Sequence, residues 1–193
     1  MSLPKPYHRN WRAIKRGPNS GYSSWGYIRD REYAQSPAHY VRAYKIIQAD
    51  LERLFEYIEP SSESLNTFSY RIHELLMRTC IEVEANFKAI LTENIYTPQI
   101  DRFGQQILNM TVYKKTDITH HLSSYEVNLP IWNGPARIIR PFEGWTTGRG
   151  LGWYQAYNAS KHDRHEAFKT ANMEQLLTAI TGLLVLLSSQ FKI

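Results

Sequence analysis

The apolar residues Leu65, Phe68, Ile72, Leu75, Leu76, Thr79, Val83, Phe87 and Ile90 recur three and four positions apart. That period puts them on one stripe of a long amphipathic helix. The spacing predicts a helix starting within Ser61 to Ser64 and lasting to about Asn94. A second stripe, Val41, Tyr44, Ile47, Leu51, Leu54 and Ile58, ends at Pro60 and predicts a helix before it, opened by Ser36 as cap and Pro37 at the first position. The short connection at Pro60 implies that these two helices lie antiparallel. A last helix begins near Asn172, where Asn172 and Gln175 suit a capping box, and Leu176, Ile180, Leu183, Leu184, Leu187 and Phe191 give it a wide apolar face.

Between these stripes the period weakens. Residues 111 to 123 suit a short helix. Tyr125 to Trp132 alternate partially, as a short strand would, with Arg137 to Phe142 as partner across an Asn133-Gly134-Pro135 turn. A helix is expected from about Gly150 to Phe168, entered through the flexible Gly148-Arg149-Gly150-Leu151-Gly152. The expectation is a mainly α fold: a bundle of long antiparallel helices with an irregular, short-β insertion between the second and third long helices.

With 42% hydrophobic residues in 193, residues 37 to 193 have enough apolar side chain to bury one core. Residues 1 to 36 read differently. Lys5, Arg9, Arg12, Lys15, Arg16, Arg29 and Arg31 face only Asp30 and Glu32, so the net charge of +5 resides there and the remainder is formally neutral. Tyr7, Trp11, Tyr22, Trp25, Tyr27 and Tyr33 are interleaved with these charges. Such a mixture neutralises phosphates and stacks bases in single-stranded nucleic acid sites. It equally suits an arm that packs its aromatics on its own chain or a second copy. The expected division is therefore a basic, aromatic N-terminal arm and a helical domain.

The single cysteine, Cys80, rules out an internal disulfide framework. The opening Met-Ser-Leu-Pro-Lys-Pro has no apolar signal stretch, and the longest apolar run, within Leu176 to Leu187, falls short of the ~20 residues of a membrane span. A cytoplasmic setting without membrane association is expected.

Polar chemistry concentrates in Gly152 to Arg164. On a continuous helix Asn158 and His162 share a face, and Lys161 aligns with Tyr157, Trp153 and Arg164. Histidine exchanges protons near neutrality, while Lys161 or Arg164 offsets phosphate charge and Asn158 orients ring or substrate. The plain alternative is a solvated helix with His162 at a helix contact. On the long helix, Arg71, Arg78 and Glu82 fall along one line, as an ordinary solvated charge row does. Arg78, at the margin of the apolar stripe, could alternatively face a groove shared with the third long helix. Glu84 and Lys88, four apart, form a second polar pair of little consequence by itself. Neither His162 with His165 nor His120 with His121 has the partners of a zinc site, so no metal is expected, and no cofactor.

Taken in order, Arg78 to Glu84, Pro141-Phe142-Glu143-Gly144-Trp145 and Trp153 to Arg164 resemble bacterial proteins allied to the HEPN superfamily, over roughly residues 38 to 190. The resemblance implies a helical bundle, a homodimer and metal-independent endoribonuclease chemistry in a defence or toxin setting. Asn158 and His162 match the polar residue and histidine of the family motif, and Tyr157 stands at the arginine place. The resemblance then implies His162, Asn158, Lys161 and Arg164 as catalytic residues, with Arg78, Tyr157, Trp153, Tyr154 and Trp145 around an RNA or nucleotide. Two other readings stand beside it. In one, the cluster is structural in a non-catalytic module that binds a protein partner; in the other, Trp145, Trp153 and Tyr154 line a small-molecule pocket.

Overall fold

A computed structural model describes Arg9, residues 34–94 and residues 97–191, the Arg164 side chain excepted. The sequence reading of the N-terminal arm therefore lies mostly outside the described residues. The elements in chain order are α1 (Pro37–Phe55), α2 (Tyr70–Glu93), α3 (Met110–Tyr113), α4 (Asp117–His120), β1 (Val127–Asn128), β2 (Ile138–Ile139), α5 (Gly152–His162), α6 (Arg164–Ala167) and α7 (Met173–Gln190). The protein is mainly helical, with one small antiparallel pair of strands. No helix among the described residues is long and apolar enough to cross a membrane.

Helices α2 and α7 form the centre. The α2 stripe from Ile72 to Ile90 is buried, and α7 is buried almost all round, as a helix apolar on every side must be. Both begin at a side-chain cap. Ser69 Oγ accepts from the Ile72 amide at 3.2 Å, and Asn172 Oδ1 accepts from the Gln175 amide at 3.1 Å. Their starts are tied by main chain, since the Met173 amide donates to the Thr67 carbonyl at 2.9 Å and the Glu174 amide to the Leu65 carbonyl at 3.0 Å. Near the far ends, Gln190 Nε2 donates to Asn86 Oδ1 at 3.1 Å. Two helices paired start to start and end to end run parallel.

Helix α1 is antiparallel to both. Tyr40, near its start, packs on Phe191 beyond the end of α7, while Asp50, near its finish, pairs with Arg78 in the first half of α2. The expectation of antiparallel helices thus holds for α1 with α2 and not for α2 with α7. Helix α5 packs against both central helices, and Gly182 of α7 makes room for it: a Cβ there would lie 3.5 Å from the Trp153 ring and from Pro141.

Four local expectations are corrected. Helix α2 starts at Tyr70 because the Leu65 and Thr67 carbonyls are used by the start of α7, leaving only a short 3-10 turn at Ser62–Ser64. Ser36 does not cap α1 with its side chain, because its backbone is left-handed at φ 48°. The predicted helix from Gly150 to Phe168 is broken at Asp163, whose carboxylate accepts from the Glu166 amide at 3.2 Å and so caps a new helix instead of continuing the old one. The β pair is reduced to Val127 opposite Ile139 and Asn128 opposite Ile138.

Candidate functional site

The buried face of α5 is Trp153, Ala156, Tyr157 and Ser160. Trp153 is 1% exposed, and its ring N–H donates to the Pro141 carbonyl at 2.9 Å. Trp145 is also buried, packed on Phe142 and Phe87, and Phe87 stacks on Tyr113 with ring centroids 4.9 Å apart and planes 7° apart. These tryptophans build the aromatic core. The structure thus corrects the pocket lined by Trp145, Trp153 and Tyr154: the two indoles have no open face, because core packing claims them first.

Where α5 crosses α2, the Tyr154 hydroxyl donates to Glu84 Oε1 at 2.8 Å. Tyr113, Tyr154 and Tyr157 all feel that carboxylate. Burial raises the pKa of the Tyr113 phenol to about 12, with the Glu84 charge adding to it. Burial also pushes Tyr154 up strongly, helped by its hydrogen bond to Glu84. Tyr157 is raised by burial and by Glu84, against the opposing pull of Lys161. Cys80 lies beside them, its thiol pushed well up by burial and by Glu84. All three phenols are neutral at physiological pH.

Lys161 reaches back one turn. Its Nζ lies 3.4 Å from the Tyr157 hydroxyl and 5.2 Å from the centre of that ring. Tyr157 at 2% exposure is fixed in the core, while Lys161 and His162 are exposed on the last turn of α5 and Asn158 is half-buried one turn earlier on the His162 face. The structure therefore joins Lys161 to Tyr157 and Tyr157 to Tyr154, with Asn158 and His162 on the same helix. Arg164 belongs to α6, past the break at Asp163, so its expected alignment with Lys161 on one helix does not occur; its side chain lies outside the described residues.

Arg78 is elsewhere. It pairs with Asp50 of α1 and lines a cleft between α1 and α2. The alternative of a groove with the third long helix is excluded, because Glu84 and Cys80, not Arg78, are on the α2 face turned to α5. Glu84 is the residue the sequence reading undervalued. Its four-residue spacing to Lys88 is legible in the sequence, but its partner Tyr154 is 70 positions away.

Among the described residues no group of three or more His, Cys, Asp or Glu side chains converges as metal ligands would. His120, expected as one half of a bare His pair, is buried with Nε2 2.7 Å from the Arg9 carbonyl and Nδ1 2.8 Å from Thr119 Oγ1. The end of α5 thus offers an exposed ammonium over the neutral Tyr157 phenol, with the Glu84 carboxylate behind Tyr154, and an exposed imidazole at the next position. Compared with known protein families, curated proteins and solved structures, the chain matches none of them.

Proposed function

We propose that the protein binds RNA or a nucleotide at the end of α5 and cleaves RNA there without a metal, as the HEPN resemblance implies. One observation carries the reading: Lys161 and His162 are both exposed on the last turn of α5, and the Lys161 ammonium lies over the ring of buried Tyr157. A phosphate approaching that turn meets an ammonium and an imidazole with half-buried Asn158 beside them. Tyr157, at the place of the family arginine, supplies no charge; Lys161 leaning over it supplies one.

In the proposed step the ribose 2′-oxygen attacks the adjacent phosphorus and loses its proton to His162. The bond from phosphorus to the 5′-oxygen breaks, and that oxygen takes the proton back from His162, leaving a 2′,3′-cyclic phosphate and a 5′-hydroxyl. Lys161 offsets charge on the five-coordinate phosphorus, and Asn158 orients the ring or the phosphate. On this reading the protein acts as a cytoplasmic homodimer in a defence or toxin system. The purified chain incubated with mixed RNA in EDTA should cleave it, and His162→Ala should abolish cleavage. No cleavage by the native chain, or equal cleavage by the variant, ends the ribonuclease reading.

A second reading is favoured by the burial of Trp145, Trp153 and Tyr157 and by Lys161 and His162 occupying the last turn of α5, where cations offset the helix dipole. On it the cluster holds the bundle together, and the surface binds a protein partner. Salt separates the two, because RNA affinity falls steeply as salt rises and an apolar protein interface does not respond that way.

A further inference from the structure

Between the last turns of α1 and the first half of α2 lies a cleft of about 490 Å³, within the range of small-molecule sites. Arg53, Arg71 and Arg78 line it together with Leu54, Leu75 and Tyr57. Tyr57 is 85% exposed, an aromatic ring presented to solvent on a cleft that three arginines also line. Two carboxylates also line the cleft, so the cations are in excess. Asp50 serves two of them, Arg53 at 3.0 Å and Arg78 at closer range, while Arg71 reaches Glu74 at 3.1 Å across an exposed pair.

Each guanidinium has more N–H donors than these contacts use. The Nε of Arg78 is shielded from water and has no acceptor among the described residues, so the Asp50 contact leaves that side chain short of one hydrogen bond. Exposed pairs such as Arg71 with Glu74 contribute little and exchange readily for a better acceptor. A phosphate is that acceptor, since its oxygens match the planar fork of arginine. The exposed Tyr57 face and the two leucines suit a flat ring beside it.

We propose that this cleft binds a small phosphomonoester carrying a planar ring, of the nucleoside monophosphate class, with its phosphate on Arg53, Arg71 and Arg78 and its ring on Tyr57. The cleft is on the α1 side of α2, a different face from the one that meets Tyr154, so the site is independent of the end of α5.

Isothermal titration of the full chain with adenosine monophosphate, inorganic phosphate and adenosine tests it. The monophosphate should bind more tightly than either fragment. The double variant Arg53→Gln, Arg71→Gln alters two exposed side chains and should weaken the monophosphate and inorganic phosphate alike, by about tenfold or more. Tyr57→Ala should weaken the monophosphate about tenfold and leave inorganic phosphate unchanged. Circular dichroism confirms that these surface variants fold. Absence of monophosphate binding, equal affinity for monophosphate and inorganic phosphate, or binding lost in Lys161→Ala but kept in the arginine variants would each overturn the assignment. Loss of RNA cleavage in His162→Ala should leave monophosphate affinity at this cleft unaltered.

Discussion

Replacing Arg9 by alanine should destabilise the bundle far more than a residue so near the start of the chain suggests. Its side chain is fully buried, with Nε donating to Gln190 Oε1 at 2.8 Å and Nη1 to Glu93 Oε1 at 2.9 Å. The guanidinium lies 4.4 Å from the ring centre of Tyr40 and 5.0 Å from that of Phe191. Burial lowers its pKa, and the Glu93 charge works against that shift. Removing one partner of a buried ion pair costs about 3–5 kcal/mol, because the other charge stays behind. Glu93 keeps the Gln35 amide at 3.1 Å and Gln190 keeps Asn86, which places the expected loss near the lower end, about 3 kcal/mol. For a chain of this size that is roughly 6–12 °C in Tm. Arg9→Lys keeps the charge without the fork and should recover only part of it. Urea unfolding followed by circular dichroism measures both variants. A loss below about 1 kcal/mol for Arg9→Ala would refute the claim that this side chain ties together the ends of α2 and α7.

Further tests address the site and its surroundings. Tyr113, Tyr154 and Tyr157 hold their protons more tightly folded than unfolded, so their stabilisation is complete below about pH 10 and is lost as pH rises through the folded values, about 12 for Tyr113. Tyr154→Phe should lower stability near neutrality by about 1–2 kcal/mol, through loss of the Glu84 bond, and make the alkaline decline shallower in urea titrations; an unchanged decline would count against the cluster. Cys80, buried and with its thiol pushed well up, should ignore Ellman's reagent in the native protein and react fully in denaturant, whereas rapid native labelling would contradict that burial. Gly134 has φ 109°, and a Cβ there would come within 2.5 Å of Ser62 Oγ, which accepts from Trp132 and Ala136; Gly134→Ala should cost about 1–3 kcal/mol by thermal unfolding. If RNA binds at the end of α5, Lys161→Ala should reduce the slope of log affinity against log salt by about one, and an unaltered slope would remove Lys161 from the interface.

The helical stripes of α1, α2 and α7 were legible because a period of three to four residues is a local property that burial enforces. The Asn172 cap was legible for the same reason, while the break at Asp163 was not, because that carboxylate serves equally well on a continuing helix surface or as a cap. Residue types at the end of α5 revealed a basic cluster, and their exposure could not be read from their order. Trp153 and Lys161 are eight positions apart on one helix, yet one is sealed and the other open. What determined this is which side of α5 meets α2 and α7, a matter of packing between distant segments. The pairing of Glu84 with Tyr154 and of Arg78 with Asp50 arises the same way. By itself the sequence settled that this chain makes amphipathic helices and where most of them lie, since those depend on neighbours within a turn or two. Tertiary structure alone decided that α7 runs parallel to α2, that the tryptophans belong to the core, and that Arg78 faces α1, because each depends on contacts the chain makes only once it has folded back on itself.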